Sequence, residues 1–439
     1  MAQGYTGYSL FDSNVTIKDS ANLDAFSRLR MSNPITLFSS QLTYNSNPLL
    51  FEKVTGPNGG NIFGVEAERY LRIELQATGT SKSYIQSYEY IPYQPSKSQL
   101  VFVTFNFVGP PGNSGVTKFA GLSDGINGVE LQISSTYTRF AILTGSSSGG
   151  TQYINKGSWN IDRFDGTGPS GITIDFTKCQ ILVIDFQALY VGRVRFGFDI
   201  NGQIYYAHAF NNANNLVAPY FQTANLPIRV GMTSTASTGA STEYMFYFCS
   251  AVVSEGGTED SNLFGYNFAA SSGLISGFGT TTTHALSIRP RTDLTTTSAP
   301  KFVDYPVTIT DFTSRIKIVL QGLEIINTGA KPLKWNLAIG YGLTGATFNK
   351  VNQQYSSVDY AVGSGVTLAN TPIIINSGYI ASGGFFNGVT DTSISSRYPI
   401  TLNAAGAVRD LGTATVTLET LGSTGTTDAY VTLKYKEIR

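Results

Sequence analysis

Strand-type runs recur along almost the whole chain, and they constrain the fold more than any other feature. Residues 172–184 (ITIDFTKCQILVI), 244–253 (YMFYFCSAVV) and 429–438 (AYVTLKYKEI) are rich in β-branched and aromatic residues. Such runs, bounded by Gly, Pro, Asn or Ser, are typical of strands. A helical period is visible in residues 22–30 (NLDAFSRLR), which predict one or two helical turns at most. The pattern predicts an all-β protein of sandwich type and not parallel α/β units.

Changes in composition divide the chain into an arm, two strand-rich blocks and a linker. Residues 1–58 have a polar start and end in a glycine-rich stretch, and we interpret them as an N-terminal docking arm. Residues 59–257 and 286–439 each predict a β-sandwich of jelly-roll type. Residues 258–285, rich in small side chains, predict a linker between them.

The arm has too few apolar residues in any one pattern to bury a core of its own. It nevertheless carries apolar side chains flanked by two arginines, which predict docking on another copy or on a different protein. Deleting residues 1–45 is then predicted to leave both sandwiches folded. The predicted docking residues are Leu23, Phe26, Arg28, Leu29, Arg30, Leu37 and Phe38.

The charge of the chain favours self-association over binding to nucleic acid. Lys and Arg number 29, Asp and Glu also number 29, and charged residues make up 13% of the sequence. Nucleic-acid binding through bulk charge needs a basic excess, whereas low net charge favours association. No apolar run approaches the ~20 residues of a membrane-spanning helix. The first residues lack a basic start and an apolar segment, so no secretory signal is expected.

Motifs for catalysis are weak. His208 lies in a strand-like run, His284 ends a threonine run, and neither accompanies a G-x-S-x-G motif. Paired carboxylates serve glycoside hydrolysis, but turn caps and arginine pairs (with Arg193 or Arg195, for example) are the more ordinary roles. The carboxylates concerned are Asp162, Asp165, Asp175 and Asp185. The sequence therefore predicts no enzyme activity and no cofactor.

The segment of residues 160–171 (NIDRFDGTGPSG) is the sharpest local feature. Its oxygens make Asp162 and Asp165 candidate calcium ligands, but their spacing does not fit an EF-hand loop. A turn held by its own side-chain bonds is the favoured interpretation of this segment. Trp159, just before this loop, is a candidate for stacking on a sugar ring, but a core or interface position is the more usual role and the one we expect.

Two long stretches of the chain resemble proteins of tailed-bacteriophage particles. Residues 24–38 (DAFSRLRMSNPITLF) resemble a segment found near the N-terminus of many such virion proteins. Residues 159–216, which include WNIDRFDGTGPSG, DFQALYVGRVRFGF and NNANNL, are similar to a recurrent phage structural-protein sequence. Shorter pieces such as NLPIRV (225–230), CSAVVSEGG (249–257) and GLTGATF (342–348) follow in the same order.

This resemblance implies a structural protein of the virion with no known catalytic residue. We expect it on the outer surface, as a head-decorating, collar or tail-attached protein. It would form a homo-oligomer, most simply a trimer, and dock on other virion proteins. The alternatives are a virion protein that binds a host receptor or surface glycan, and, less favoured, a glycan-cleaving tailspike. The expected location is the virion, after synthesis in the host cytoplasm, with no nucleic-acid partner and no membrane insertion.

Overall fold

The computed structural model describes most of the chain, including nearly all of the predicted strand regions. It does not describe residues 1–21, 31–32, 66, 77–78, 93–94, 96, 146–149, 188, 224, 238–241, 256–264, 293–313, 353–354, 390–397, 423 and 439. The first part of the predicted arm and the first part of the predicted linker therefore lie outside the described residues.

The strands of the N-terminal half are the following: β1 (Ile35–Gln41), β2 (Phe51–Thr55), β3 (Gly60–Val65), β4 (Tyr70–Gln76), β5 (Gly79–Ser87), β6 (Ser98–Asn106), β7 (Val116–Ser123), β8 (Gly128–Ser134), β9 (Thr138–Leu143), β10 (Gln152–Asn155), β11 (Gln180–Gln187), β12 (Val194–Ile200), β13 (Gln203–Phe210), β14 (Ile228–Ser237) and β15 (Thr242–Ser254). A 3-10 turn spans Lys156–Ser158.

The strands of the C-terminal half are the following: β16 (Tyr266–Phe278), β17 (Thr283–Pro290), β18 (Lys317–Asn327), β19 (Leu333–Ile339), β20 (Gly342–Thr344), β21 (Asn349–Lys350), β22 (Val358–Val362), β23 (Thr367–Ala369), β24 (Ile373–Ile380), β25 (Phe385–Val389), β26 (Ala414–Thr420) and β27 (Thr427–Ile438).

The N-terminal half is a sandwich of two antiparallel sheets. The first sheet has the strand order β13-β12-β11-β6-β15-β4-β3, with β1 also paired to β15, and the second has the order β10-β9-β8-β7-β14-β5-β2. Consecutive strands such as β5, β6 and β7 alternate between the two sheets, as jelly-roll strands do. Side chains of both sheets share one core, in which Phe140 stacks on Phe196 with ring centroids 4.5 Å apart.

The C-terminal half is a second sandwich. Its sheets have the strand orders β16-β27-β18-β25 and β21-β22-β17-β26-β19-β24, and β20 pairs with β23 beside them. Leu323 and Leu433 of the smaller sheet share a buried cluster with Ile288, Trp335 and Val416 of the larger sheet. The predicted all-β fold with two β-sandwiches is confirmed.

The predicted boundary of the arm at residue 58 is wrong for its described part. β1 pairs with β15, with Ser39 opposite Ala251, and β2 pairs with β5. Phe38 packs edge-on against Phe51, and both belong to the core of the first sandwich. The inward face of β1 also carries Ser40, whose hydroxyl lies 3.4 Å from that of Ser250. Because this inward position is polar, β1 lacks a regular apolar alternation, and the sequence pattern did not predict it as a strand.

The predicted linker is also wrong over residues 266–278. These residues form β16, which pairs with β27 from Tyr266 opposite Glu437 to Phe278 opposite Thr427. Ile275 and Phe278 lie in the second core. The composition of this strand misled the prediction, because its outward positions carry small residues of the kind that fill linkers.

Charged side chains join the two sandwiches. Lys317 of β18 forms an ion pair with Glu89, and the two side chains are largely buried. Arg315 forms an ion pair with Asp124, and its guanidinium lies 5.3 Å from the ring centroid of Tyr90. The junction is therefore made by paired charges taken out of water, which tolerate the loss of a partner poorly.

We expect deletion of residues 1–45 to destabilise the first sandwich. The deletion removes β1 together with the buried side chains of Phe38 and Leu42. Full burial of such a side chain contributes about 1.5–3 kcal/mol, so the loss should amount to several kcal/mol. Urea unfolding followed by tryptophan fluorescence measures this change.

Deletion of residues 1–21 is the control, because it leaves every described strand in place. If the two truncated proteins unfold at the same urea concentration, β1 does not support the sandwich as described.

Candidate functional site

A buried carboxylate, Asp185, gathers side chains from four places in the chain. It lies on β11, and its neighbours Ile184 and Phe186 point into the core, so its own side chain emerges on the outer face of the first sheet. Arg195 on β12 is its cross-strand partner and forms an ion pair with it. Tyr206 donates its hydroxyl proton to Asp185 at 2.9 Å.

Asp185 has two further partners, Arg30 and Ser98. Arg30 in turn brings in Glu255. We call the whole set the Asp185 cluster: Arg30, Ser98, Asp185, Arg195, Tyr206 and Glu255. Arg30 lies 2.7 Å from Asp185 and also pairs with Glu255. Ser98 donates its hydroxyl proton to the other oxygen of Asp185. The cluster thus satisfies a charge that would be costly to bury alone.

The electrostatics of the cluster hold Arg30 in its charged form. Burial acts to lower the pKa of Arg30, but Asp185, Tyr206 and Glu255 offset it, and the pKa is raised overall. Burial also raises the pKa of Tyr206, with Asp185 adding to the effect. The hydroxyl therefore remains a proton donor, and the cluster behaves as a fixed set of ion pairs and hydrogen bonds.

The segment of residues 22–30 lies over this outer face. Arg195 and Arg30 both donate to the backbone carbonyl of Leu23, at 2.7 and 3.2 Å. The segment is a turn closed by a bridge between Leu23 and Leu29, and not the short helix that its spacing predicts. Asp24 explains the difference, because its carboxylate accepts bonds from the backbone of Phe26 and Arg28 and so favours a turn.

The structure separates the seven predicted docking residues into two groups. Leu23 and Phe38 are buried, Leu37 packs against the first core, and Arg30 belongs to the Asp185 cluster. These four are committed to contacts within the same chain, which corrects their predicted role. The remaining group faces outward at least in part: Phe26, Arg28 and Leu29.

Trp159 belongs to the core and not to a sugar-binding surface. Its side chain is 3% exposed and stacks on Phe140, with ring centroids 4.3 Å apart and an interplanar angle of 15°. Phe164 meets it edge-on. The indole is thus enclosed by the aromatic core, so a sugar ring has no access to it.

The loop after Trp159 is held by its own carboxylates. Asp162 is buried and accepts backbone bonds from Phe164 at 2.8 Å and Ser170 at 2.7 Å. A Cβ at Gly168 would overlap the carboxylate of Asp162, so this close approach requires glycine. Asp165 is exposed and bonds to Thr167. Both candidate calcium ligands therefore act as turn residues.

The other two candidate carboxylates also have local partners. Asp175 is exposed and accepts bonds from the backbone and hydroxyl of Thr177, and Asp185 pairs with Arg195. Turn capping and arginine pairing, the ordinary roles considered for these carboxylates, are confirmed. Within the described residues, no group of three or more His, Cys, Asp or Glu side chains is placed to hold a metal ion.

Both histidines are buried in polar contacts. His284 lies on β17, with Nε2 2.8 Å from the hydroxyl of Ser287 and Nδ1 2.9 Å from the carbonyl of Gly363. Both side chains are fully buried, so this pair has no access to a substrate. His208 accepts a bond on Nδ1 from the backbone of Asn160 and meets Phe210 edge-on.

A row of exposed apolar side chains crosses the smaller sheet of the second sandwich. Leu274, Tyr430, Ile326 and Phe385 are paired in register across β16, β27, β18 and β25. Their exposed fractions are 52, 43, 50 and 77%. Ile325, next to Ile326, lies in the core, so the row is on the outer face. We call these four residues the apolar ladder.

The apolar ladder is a candidate interaction surface that sequence reasoning missed. A single outward-facing apolar residue in a strand is ordinary. Only the register of four separate strands brings these side chains into one row, and register depends on pairing between residues far apart in sequence. A contiguous exposed apolar patch marks an interaction surface.

Comparisons with known proteins give no family for this chain. No family model matches it, and no curated protein matches it. An endo-1,3-beta-glucanase from Streptomyces sioyaensis resembles it in structure, with 12% identity and a TM-score of 0.38 over 51% of this chain and 97% of the other. A legume lectin-like domain from Entamoeba histolytica has 10% identity and a TM-score of 0.30 over 52% and 100%.

Both TM-scores lie well below 0.5, so these likenesses carry no argument about function. The β-sandwich architecture is established by the sheets and cores described above. Across the described ranges, no helix has the length and apolarity that a membrane span requires.

We expect His208 to make stability depend on pH. Burial lowers the pKa of His208 to about 4 from its ordinary value of 6.5. The unfolded chain therefore takes up a proton before the folded chain does, and the contribution of His208, complete above pH 6.5, is lost as the pH falls towards 4. Urea unfolding of the wild type and His208→Gln at pH 7.0 and 4.5 measures this difference.

The wild type should lose more stability than His208→Gln between these pH values. His284, whose pKa burial also lowers, is present in both proteins and cancels. Equal losses in the two proteins would show that His208 is solvated and titrates normally.

Proposed function

We propose that the protein is a non-enzymatic, homo-oligomeric component of the outer surface of a tailed-phage particle. The two stretches that carry the sequence resemblance support this proposal, because they meet in the structure. Arg30 lies in the first stretch, and Asp185, Arg195 and Tyr206 lie in the second. The residues that carry the resemblance therefore include both partners of a buried ion pair, Arg30 and Asp185.

The apolar ladder is the main observation in support of a homo-oligomer. Burying one such side chain fully contributes about 1.5–3 kcal/mol, and here four of them stand in one row. The adjacent rows carry polar side chains, including the ion pair of Lys434 with Glu324. An apolar centre with a polar rim is the arrangement found in protein interfaces.

We assign the facing surface to another copy of this chain. The chain has no net charge, and its polar surface is largely uncharged, so identical copies do not repel one another. Closed symmetry, a trimer in the simplest case, would repeat the contact around a ring. Docking on the particle then falls to residues 1–21 and to the outward residues Phe26, Arg28 and Leu29, since the other docking candidates are used within the chain.

We expect Ile326→Lys to dissociate the oligomer. The substitution places a charge in the middle of the ladder, where a facing copy would have to desolvate it. Ile374→Lys is the matched control, because Ile374 is 54% exposed on β24 of the other sheet. Size-exclusion chromatography with light scattering gives the mass of each variant.

A wild type that is monomeric at micromolar concentration would contradict the oligomer. Equal masses for the wild type and Ile326→Lys would remove the ladder from the interface. Immunogold labelling of purified phage particles tests the virion location separately, and particles without label would contradict it.

A second candidate function is carbohydrate binding on the same particle. One observation favours it: a cleft of about 180 Å³ in the second sandwich is lined by two arginines and two aromatic side chains, Arg289, Arg409, Tyr341 and Phe348. Polar groups beside aromatic faces are what a sugar requires. Binding of the full chain to a glycan array tests this function, and an array with no signal would contradict it.

A further inference from the structure

The smaller sheet of the second sandwich has its charged residues in the middle and none at its edges. Its edge strands, β16 and β25, contain no Asp, Glu, Lys or Arg. Natural proteins usually place charges on edge strands, because a charge there prevents another strand from pairing. The charged residues of this sheet all lie on its inner strands, β18 and β27: Lys317, Glu324, Asp428, Lys434, Lys436 and Glu437.

Both edges of this sheet are open in the part of the chain that the structure describes. There β16 pairs only with β27, and β25 pairs only with β18. Each edge strand therefore presents backbone N–H and C=O groups that no neighbouring strand uses, and another strand can pair with them. The two bulges of β16 lie beyond Ser271, so residues 266–271 remain regular enough to pair.

Each of the other three sandwich sheets has at least one edge that is short, charged or covered. β21, at one edge of the larger sheet of the second sandwich, has two residues, one of which is Lys350. In the first sandwich, β2 carries Glu52 and Lys53. Residues 160–162 cover β13 by bonding to its backbone. The smaller sheet thus differs from the others in offering two open, uncharged edges.

The two open edges are complementary in direction. Each neighbouring pair of strands in this sheet is antiparallel, so β16 and β25, at opposite edges, run in opposite directions. In a ring of copies about an axis along the strands, β25 of one copy would meet β16 of the next, and the antiparallel pattern would continue across the contact. A contact between unlike surfaces of this kind closes a ring.

We propose that β25 of each copy pairs with β16 of the next copy, so that the smaller sheets form one intermolecular sheet. This inference rests on the homo-oligomer proposed above and names a second contact within it. The apolar ladder supports a second copy as the partner, because it ends at both open edges, with Phe385 on β25 and Leu274 on β16. The contact brings these two ends together, and the ladders of all copies then face the axis of the ring.

The outward side chains of the two edges meet at the same level. Asn387 of β25 and Ser271 of β16 lie in one row across the sheet, which passes through Glu324 and Thr432. Rotation about an axis along the strands does not change height, so Asn387 of one copy meets Ser271 of the next. Both residues are exposed and uncharged, so the contact buries no unpaired charge.

Disulfide crosslinking of the full chain tests this contact. The variant carries Asn387→Cys and Ser271→Cys, with Cys179 and Cys249 replaced by serine. On oxidation we expect it to form covalent oligomers up to the size of the ring, seen by electrophoresis without reductant. Within one chain the two positions are three strand spacings apart, about 14 Å. A disulfide spans no more than ~7 Å between Cα atoms, so each crosslink joins two chains.

The two single-cysteine variants are the control for the direction of the contact. Neither should crosslink alone, because the contact joins unlike edges, but a mixture of the two should give a covalent dimer.

Asn387→Lys tests the same contact without crosslinking. A charge on the open edge should weaken association at least tenfold, as measured by light scattering across a dilution series. Ser377→Lys is the matched control, because Ser377 is also an exposed polar residue of an edge strand, β24 of the other sheet. It should leave the mass of the oligomer unchanged.

The results separate this contact from the oligomer itself. A wild type that is oligomeric, with a double-cysteine variant that stays monomeric on the gel, would overturn the edge contact and leave the oligomer standing. A single-cysteine variant that crosslinks to itself would mean that like edges meet, and equal association of the wild type and Asn387→Lys would remove β25 from the interface. A monomeric wild type would overturn both proposals.

Discussion

The arrangement of the first sandwich around Asp185 depends on one constraint: a buried carboxylate must be paired. This carboxylate sits on the outer face of a sheet, where the alternation of β11 places it, and it needs partners because it is fully buried. Arg195 comes from the next strand, but Arg30 comes from a segment 155 residues away. The path of the chain before β1 follows from this requirement, since residues 22–30 lie where they satisfy and cover the carboxylate.

How far the sequence predicts the structure depends on the range of the interactions concerned. Alternation within a strand is local, so the two sandwiches and the buried position of Trp159 could be read from residues a few places apart. The pairing of Asp185 with Arg195 was also within reach, because both belong to adjacent strands of one hairpin. Arg30 was assigned to an outside partner, since nothing local marks a contact over such a distance.

The apolar ladder was beyond prediction for a related reason. The apolar ladder exists only because four strands pair in one register, and each of its members alone is an ordinary exposed residue.

The contacts of Arg30 have a mechanical consequence. Tension applied to the chain before residue 22 would reach the ion pairs of Arg30 with Asp185 and Glu255 before it reaches any strand. Once these pairs open, the tension would reach β1 and its antiparallel hydrogen bonds to β15. The start of the first sandwich is thus secured by two successive sets of contacts, first ion pairs and then backbone hydrogen bonds.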